Sequence, residues 1–323
     1  MRRAVNIADL RTLASRRVPR VMFDYLDGGS FDEATLRANT ADLERIRLRP
    51  RVLVDVSKRS LETEVFGQKL AMPFVLAPVG SLGRALALWF SRRGATVWAA
   101  ARRTELLESL AADSSARPGS ILPLSLDVSD VAAIRRVLPE IDSKAEGGLD
   151  VVIANAGLGG EANPRKDTWE KVERMIQVNV TGAAATLATL APRMAERGRG
   201  HLVGISSLAG WIVTPKMGVY AATKMFLQVY CDGLHLDLKG AGVAVTCINP
   251  GFVKSEMTAK NKFKMPFLLE ADDAADRMGR AILRGEKLFA YPWPMVLATR
   301  AARWVPEVIV ARVMGKSGLR PPS

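Results

Sequence analysis

The chain has 323 residues, of which 48% are hydrophobic, so it can bury the core of one large domain or of one domain with an extra piece. Its formal net charge is +13, but the basic residues are spread along the chain without a dense block, which argues against a nucleic-acid binding protein. Cys231 and Cys247, together with only two histidines, argue against a transition-metal centre and favour buried thiols in a reducing compartment.

The chain also has few features that would direct it to a membrane or out of the cell. No run of about 18 uncharged apolar residues occurs, which argues against a membrane-spanning helix. Asp9 follows Met1, Arg2 and Arg3 before any apolar core develops, which argues against a secretory signal. We therefore expect a cytoplasmic protein.

Residues 1–71 form a predicted amino-terminal extension whose pattern differs from that of the rest of the chain. Helical spacing is followed by short strand patterns; the helices are predicted at 7–15, 18–26 and 32–43, and the strands at 47–56 and 63–66. The stretches FDYLDGGSFDEATLRANTADLERIRLRPRVLVDVS and, just after this segment, MPFVLAPVG resemble the amino-terminal quarter of FMN-dependent α-hydroxy-acid dehydrogenases and oxidases.

This resemblance implies that Tyr25 corresponds to the tyrosine that holds the substrate carboxylate, and that residues 77–80 correspond to the backbone that lies against the flavin ring. The resemblance ends near Gly80. The barrel of that family needs eight βα units over about 250 residues, and its catalytic histidine and flavin-phosphate loops have no match further along. We therefore expect neither an intact flavin enzyme nor bound FMN.

Residues 72–323 form the predicted main domain, in which apolar strand patterns alternate with helical patterns. The strands are predicted at 74–77, 95–101, 121–126, 150–154, 201–205 and 243–248, and the helices at 84–93, 104–113, 130–138, 168–197 and 219–238. Near-continuous apolar strands separated by helices predict an α/β fold, namely a doubly wound parallel sheet covered on both faces (Rossmann-like, three-layer αβα). In such sheets ligands bind beyond the carboxyl ends of the strands.

Tyr220 and Lys224 are candidates for proton transfer at such an edge. They are four positions apart in a helical pattern, so they share one helix face. A neighbouring ammonium lowers the pKa of a phenol, which otherwise titrates near pH 10, and a phenol with a pKa closer to neutrality is a better general acid or base. Taken alone, the pair is more typical of a solvated helix face, because Tyr and Lys are common helix residues.

Six patterns, one of which contains the pair, follow one another in a fixed order and give it a context. They are DVSD (127–130), NAG (155–157), Asn179 within QVNVTG, ISS (205–207), YAATK (220–224) and NPGFVKSEM (249–257). From about residue 81 to 290 the chain therefore resembles the short-chain dehydrogenases/reductases. The resemblance implies that Tyr220 is the acid/base, that Lys224 lowers its pKa and binds the nicotinamide ribose, that Ser207 fixes the substrate oxygen, and that Asn179 holds a water linking Lys224 to solvent.

The same resemblance implies a set of cofactor contacts along the strand ends. Asp127 and Val128 would flank the adenine, residues 155–157 would line the cofactor, and Pro250, Gly251 and Val253 would face the carboxamide. The full expected set is Gly80, Ser81, Leu82, Gly83, Arg102, Arg103, Asp127, Val128, Asn155, Ala156, Gly157, Tyr220, Lys224, Pro250, Gly251 and Val253.

Arg102 and Arg103 predict the identity of the cofactor. An NAD site places a carboxylate at the end of the second strand to bind the ribose 2′-hydroxyl, but here residues 99–101 are alanines and two arginines follow. A guanidinium suits a 2′-phosphate through charge-assisted, often bidentate bonds. We therefore predict NADP(H), and the alternative is that both arginines belong to a solvated helix start.

The phosphate-binding loop departs from the family pattern T-G-x-x-x-G-x-G. Aligned on Gly83, residues 76–83 read LAPVGSLG, so Ala77 and Ser81 stand where the first two glycines are expected. Those glycines permit the tight turn and the close approach of the backbone to the pyrophosphate. Gly80, Gly83 and the following helix N-terminus preserve part of the site, so we predict weak NADPH binding.

The carboxyl end, including a predicted helical segment at 293–323, leaves two interpretations open. Arg300, Arg303 and Arg312 beside apolar residues suit a helix lying on the inner face of a membrane. The alternative is a helix packed over the substrate pocket or against a second subunit of a homo-oligomer.

The leading hypothesis for the whole chain is an NADP(H)-dependent oxidoreductase that interconverts a carbonyl and a secondary alcohol on a small, lipophilic substrate. The altered phosphate loop supports an alternative, a catalytically impaired fusion that acts as a binding or structural module.

Overall fold

The computed structural model describes most of the chain between residues 80 and 302, together with short backbone segments before it. The described residues are 11, 14–15, 23, 63–65, 68–70, 73–77, 80–114, 118–163, 165, 169–212, 214–260 and 265–302. For residues 63–77 and for residue 260 only the backbone is described. The helices predicted within 7–43, the strand predicted at 47–56 and the segment 303–323 lie wholly or almost wholly outside the described residues.

The chain divides into two compact units, Met1–Leu61 and Glu62–Ser323. The second unit alternates strands with helices. Its strands are β1 (Thr63–Val65), β2 (Gln68–Leu70), β3 (Pro73–Ala77), β4 (Thr96–Ala101), β5 (Ser120–Ser125), β6 (Val151–Ala154), β7 (Gly200–Ile205), β8 (Val243–Pro250) and β9 (Leu288–Tyr291). Its α-helices are α1 (Ser81–Ser91), α2 (Thr104–Ala112), α3 (Val131–Lys144), α4 (Trp169–Ile176), α5 (Ala183–Glu196), α6 (Gly218–Asp237), α7 (Ala271–Leu283) and α8 (Trp293–Ala302). The domain boundary expected at residues 71/72 stays a prediction.

One seven-stranded sheet organises this unit. Its strand order is β5-β4-β3-β6-β7-β8-β9, and each neighbouring pair is parallel. The short strands β1 and β2 pair with each other in antiparallel fashion outside it. The chain order reverses between β3 and β6, and such a reversal is the switch point at which ligands bind in doubly wound sheets. The predicted doubly wound parallel sheet is therefore confirmed.

Both faces of the sheet are buried, as strand β6 shows. Val151 and Ile153 pack in the cluster beneath α1, α2 and α7, whereas Val152 and Ala154 pack in the cluster beneath α3, α5 and α6. Successive strand residues point to opposite faces, so a strand covered on both sides must be apolar throughout. Full burial of one such side chain contributes about 1.5–3 kcal/mol, which explains the uninterrupted apolar runs in the sequence.

The observed elements differ from the predicted ones at several bounds. Helix α1 begins at Ser81 rather than at 84, and α3 continues past Pro139 to Lys144 rather than ending at 138. The predicted long helix at 168–197 contains a π-helical segment, Gln177–Gly182, between α4 and α5. Helix α7 and strand β9 were not predicted. Strand β9 has only four residues and lies at the edge of the sheet, so its pattern is weak. Without an assigned strand beside it, the helical pattern of α7 was not recognised as an element of the fold.

Candidate active site

The residues predicted to carry the chemistry lie at or just beyond the carboxyl ends of five strands of the sheet. Arg102 and Arg103 follow β4, Asp127 and Val128 follow β5, residues 155–157 follow β6, Ser207 follows β7, and Pro250 and Gly251 lie at the end of β8. Because all strands of the sheet are parallel, these ends share one edge. The structure thus brings residues from widely separated parts of the sequence to one side of the sheet.

Tyr220 and Lys224 lie in the first two turns of α6, and both side chains are buried. Tyr220 is 9% exposed and Lys224 is 4% exposed, which excludes the solvated helix face as an explanation of this pair. The Lys224 Nζ lies 5.9 Å from the centroid of the Tyr220 ring and donates a hydrogen bond of 2.9 Å to the Ile205 carbonyl oxygen at the end of β7. The Ser206 hydroxyl donates in return to the Lys224 carbonyl oxygen at 2.6 Å. These two bonds fix α6 to the end of β7.

Ser207 approaches the Tyr220 phenol from the end of β7. Its side chain caps the 3₁₀-helix Leu208–Trp211 by accepting a hydrogen bond of 3.1 Å from the Ala209 N–H. The interaction of its hydroxyl with the Tyr220 phenol acts to lower the pKa of that phenol. The serine is therefore held by its own loop in a position next to the candidate acid/base.

Asn179 lies in the π-helical segment between α4 and α5 and is 1% exposed. Its Oδ1 accepts from the Leu158 N–H at 2.7 Å, and its Nδ2 donates to the Leu158 carbonyl oxygen at 2.9 Å. The Nδ2 also donates to the Thr223 Oγ1 at 3.0 Å. π-Helical insertions are rare and occur often at functional sites, and here the insertion turns Asn179 toward the loop after β6.

Gly157 lies close to both Lys224 and Asn179 in this corner of the site. A Cβ added at Gly157 would lie 3.1 Å from the Lys224 Nζ and 3.8 Å from the Asn179 Oδ1. The glycine therefore allows the ammonium and the amide to approach the loop after β6. A cofactor that reaches this loop would meet a buried cation and a glycine backbone, which is the arrangement expected for a polar ribose.

Burial dominates the electrostatics of the pair. It raises the pKa of the Tyr220 phenol above its ordinary value, and the interaction with the Ser207 hydroxyl only partly offsets this. Burial also lowers the pKa of Lys224 to about 8. The expected lowering of the phenol pKa by Lys224 is thus not the leading effect, because removing both charged forms from water costs more than their attraction returns at this separation.

Thr223 and Ser206 were not among the sequence-derived candidates. The Thr223 hydroxyl donates to the Tyr220 carbonyl oxygen at 2.7 Å while accepting from Asn179. Both residues are only 3% exposed. Their one signal in the sequence is that each is a hydroxyl residue directly before a predicted catalytic residue, which is too common a pattern to be selective.

The start of α1 lies at the switch point beside β3. Gly80 precedes the helix in an extended conformation, and no side chain caps its first turn among the described residues. The first N–H groups of a helix lack partners within the helix and favour an anion, so the backbone of Ser81, Leu82 and Gly83 is placed to contact a phosphate. Leu76 and Ala77 end β3, whereas residues 78 and 79 lie outside the described part of the chain.

The two arginines after β4 point to different acidic partners. The Arg102 Nη1 lies 3.7 Å from the Asp127 Oδ2, and the Arg103 Nη2 lies 3.3 Å from the Glu256 Oε2. Partial burial raises the pKa of Asp127, but hydrogen bonds from Ser129 and the charge of Arg102 outweigh this and leave it lower than usual. Both arginine side chains are more than half exposed, so they are accessible to a phosphate.

Helix α8 lies near Gly251 and Trp211, which follow strands β8 and β7 at the carboxyl edge of the sheet. A Cβ added at Gly251 would lie 3.0 Å from the Met295 Sδ, and the Arg300 guanidinium lies 5.4 Å from the centroid of the Trp211 ring. Val253, 7% exposed, bridges to Leu269. In the described part of the chain, no helix combines the length and apolar character that crossing a membrane requires.

Two family models match the chain. The model described as short chain dehydrogenase matches residues 74–265, and the model described as FMN-dependent dehydrogenase matches residues 14–118. The second match extends beyond Gly80, where the flavin-enzyme resemblance was expected to end. Within the shared stretch, residues 81–112 nevertheless form α1, β4 and α2 of the doubly wound sheet.

Relatives of known sequence reproduce this division. An uncharacterized oxidoreductase of Myxococcus xanthus is 48% identical over 226 residues, which are 70% of this chain and 89% of that protein. An L-lactate dehydrogenase of Pectobacterium atrosepticum is 45% identical over 134 residues, which are 42% of this chain but only 30% of that enzyme.

Solved structures resemble the second unit. A short-chain dehydrogenase from Sphingobium yanoikuyae in complex with NADPH is 26% identical with a TM-score of 0.63, covering 73% of this chain and 97% of that one. A short-chain dehydrogenase from Streptomyces avermitilis is 25% identical with a TM-score of 0.65, covering 78% and 98%. The chain belongs to the short-chain dehydrogenase family of oxidoreductases, with an amino-terminal stretch similar to FMN-dependent dehydrogenases.

Proposed function

We propose that this protein is an NADP(H)-dependent oxidoreductase that interconverts a carbonyl and a secondary alcohol on a lipophilic substrate. The observation that carries the proposal is the group of Ser207, Tyr220, Lys224 and Asn179 at the carboxyl edge of the sheet, in which Tyr220, Lys224 and Asn179 are buried and Ser207 is partly buried. Burying an ammonium and a phenol costs free energy. A site built around such groups is therefore typical of function rather than of packing.

The proton chemistry follows from the positions of these side chains. In reduction, Tyr220 gives its phenolic proton to the carbonyl oxygen that the Ser207 hydroxyl holds, and in oxidation it takes the proton back. The hydrogen bond of Lys224 to Ile205 uses one of its three donors, and the others would bind the nicotinamide ribose. The nicotinamide, when bound, supplies or accepts the hydride.

The preference for NADP(H) is supported by the charges after β4. Residues 99–101 provide no carboxylate for a ribose 2′-hydroxyl, and the guanidinium groups of the exposed Arg102 and Arg103 side chains suit a 2′-phosphate. The similar Sphingobium enzyme was solved with NADPH, which is consistent with this choice.

A lipophilic substrate is supported by the residues around the mouth of the site. Trp211 lies in the loop after Ser207, and Met295 lies over Gly251. On α8, Trp293 and Leu297 are 75% and 62% exposed. These side chains offer apolar contacts to a ketone, and the Arg300 guanidinium lies over the Trp211 ring. Contact with a membrane surface and assembly into a homo-oligomer through this helix both remain predictions.

The replaced glycines support the second candidate function, a binding or structural module with little catalysis. Ala77 ends β3, and Ser81 begins α1 at the point where the pyrophosphate would lie. A side chain at either position restricts the approach of the backbone to the phosphates. The two candidate functions differ in whether Ser207, Tyr220, Lys224 and Asn179 catalyse proton transfer.

A ketone panel tests the proposal. Purified protein is mixed with NADPH and each ketone, and oxidation of NADPH is followed by its absorbance for wild type and for Tyr220→Phe. We expect turnover with apolar ketones and a decrease of about 10²–10⁴-fold in the variant. Turnover that is equal in both proteins would refute the assigned role of Tyr220. Absence of turnover together with measurable NADPH binding would favour the binding module, and a yellow, flavin-containing preparation would contradict the expectation that FMN is absent.

A further inference from the structure

Arg103 and Glu256 form an ion pair across the carboxyl edge of the sheet. The Arg103 Nη2 lies 3.3 Å from the Glu256 Oε2 and 3.5 Å from the Oε1, although 153 residues separate them in the sequence. Arg103 stands directly before α2, two residues beyond β4. Glu256 stands six residues beyond the end of β8.

The sheet order shows how far this contact reaches. Three strands, β3, β6 and β7, lie between β4 and β8. Neighbouring strands are about 4.8 Å apart, so the two strand ends are separated by about 19 Å. The segment 252–260, here called the crossing segment, therefore runs back over the carboxyl edge of the sheet.

Met257 gives independent evidence for this course. A Cβ added at Gly159, beyond β6, would collide with the Met257 thioether, so the crossing segment lies directly against the loop after β6. At its other end the segment is anchored beside α7, because the Lys254 N–H donates to the Leu269 carbonyl oxygen at 2.9 Å. The switch point between β3 and β6 lies between β4, which precedes Arg103, and β8, which precedes the crossing segment. The ion pair thus bridges the crevice in which a dinucleotide binds.

We propose that Glu256 sets the discrimination between cofactors, because its carboxylate competes with the 2′-phosphate of NADPH for the guanidinium of Arg103. This inference rests on the proposed use of NADP(H). Carboxylates and phosphates both bind the planar fork of a guanidinium in bidentate fashion, so one Arg103 cannot serve both fully. The side chains of Arg103 and Glu256 are 56% and 69% exposed, and exposed ion pairs are weak. A phosphate therefore displaces the carboxylate at a small cost in affinity, whereas NADH carries no group that competes.

Removal of the Glu256 charge tests the competition. We expect Glu256→Gln to lower the Kd for NADPH about two- to fivefold, as measured by titration of cofactor fluorescence, and to leave the Kd for NADH unchanged. The same variant should tighten 2′,5′-ADP but not 5′-AMP, because these probes differ only in the 2′-phosphate. Since Glu256 is largely exposed, the substitution should leave folding unaffected.

Two controls isolate Arg103 as the group in competition. Glu270→Gln breaks the exposed pair with Lys254 at the base of the crossing segment and should change neither Kd. In an Arg103→Ala background, adding Glu256→Gln should have no effect on NADPH. An effect that persists there would overturn the proposal, as would an unchanged Kd for NADPH or equal tightening of both cofactors in the single variant.

Failure of the underlying function would be visible separately. A wild type that binds 2′,5′-ADP no more tightly than 5′-AMP would refute the NADP(H) proposal and the competition with it. A wild type that prefers 2′,5′-ADP, combined with an unresponsive Glu256→Gln variant, would overturn the competition alone.

Discussion

Asn179 and Thr223 are joined by a hydrogen bond of 3.0 Å across 44 residues of sequence, from the Asn179 Nδ2 to the Thr223 Oγ1. Thr223 then donates to the Tyr220 carbonyl oxygen at 2.7 Å. Both side chains are buried, at 1% and 3% exposure. The bond therefore connects the π-helical segment to α6 and holds Tyr220, the proposed acid/base, relative to the loop after β6.

The first prediction concerns this link. Thr223→Val keeps the shape of the side chain but removes its hydroxyl, so Tyr220 loses one positioning contact. We expect a decrease in kcat of about five- to tenfold with a smaller change in KM, and a loss of about 1 kcal/mol in the free energy of unfolding. Thr223→Ser should restore the rate, because it restores the hydroxyl.

Thr186→Val is the matched control for this effect. Thr186 is also buried, at 2% exposure, and its hydroxyl also donates to a backbone oxygen, that of Gly182 at 2.8 Å. It should lose similar stability and keep kcat. Equal losses of kcat in both valine variants would show that the effect is one of stability and not of positioning.

The second prediction concerns cofactor choice. Arg102→Ala removes a guanidinium that suits the 2′-phosphate, so kcat/KM should fall about 10- to 100-fold with NADPH and little with NADH, since hydrogen bonds to charged groups contribute about 1.5–3 kcal/mol. Arg135→Ala, which changes an exposed arginine on α3, should leave the ratio of the two values as in wild type. If Arg102→Ala retains the full preference for NADPH, the assignment of this arginine is wrong.

The third prediction concerns the phosphate loop. Leu76→Thr, Ala77→Gly and Ser81→Gly together restore the family pattern, so the backbone before α1 can approach the pyrophosphate. We expect NADPH to bind about tenfold more tightly in a fluorescence titration, which corresponds to about 1.4 kcal/mol. Leu82→Thr changes the same turn without restoring a glycine and should not strengthen binding. Tight binding by the unmodified chain would refute the idea that the loop is impaired.

The fourth prediction concerns the pH dependence of stability. His201 is buried in β7, its Nε2 lies 2.7 Å from the Thr246 Oγ1, and burial lowers its pKa to about 4 from 6.5. Below pH 6.5 the unfolded chain therefore binds a proton on His201, whereas the folded chain binds that proton only near pH 4. The contribution of neutral His201 to the free energy of unfolding is fully present above pH 6.5. It is lost as the pH falls toward 4, by on the order of 3 kcal/mol.

Chemical denaturation at pH 4 to 8 measures this dependence. The wild type should lose stability more steeply below pH 6.5 than His201→Gln, which cannot take up the proton. His235→Gln leaves His201 in place and should retain the wild-type slope. Parallel curves for wild type and His201→Gln would contradict the assigned role of burial.

Much of the fold was predictable from the sequence, because the signals are local. A strand buried on both faces must be apolar at each position, so β6 and β7 are readable as continuous runs without knowledge of their neighbours. Residues at the ends of parallel strands share one edge whatever the details of packing, which is why Ser207 and residues 155–157 could be assigned to a common site. The edge strand β9 was not predicted, because three half-buried residues and one buried residue carry little periodic signal.

The sequence by itself thus determined the order of the elements, the edge at which the chemistry lies and the residue types available there. Only the tertiary structure decided which of them meet. The bond from Asn179 to Thr223 and the pairing of Arg103 with Glu256 join segments that are 44 and 153 residues apart. The burial of Lys224, which lowers its pKa, depends on the removal of water from around its side chain. Local pattern carries no information on such distances, because desolvation and long-range contacts arise only when the sheet is assembled.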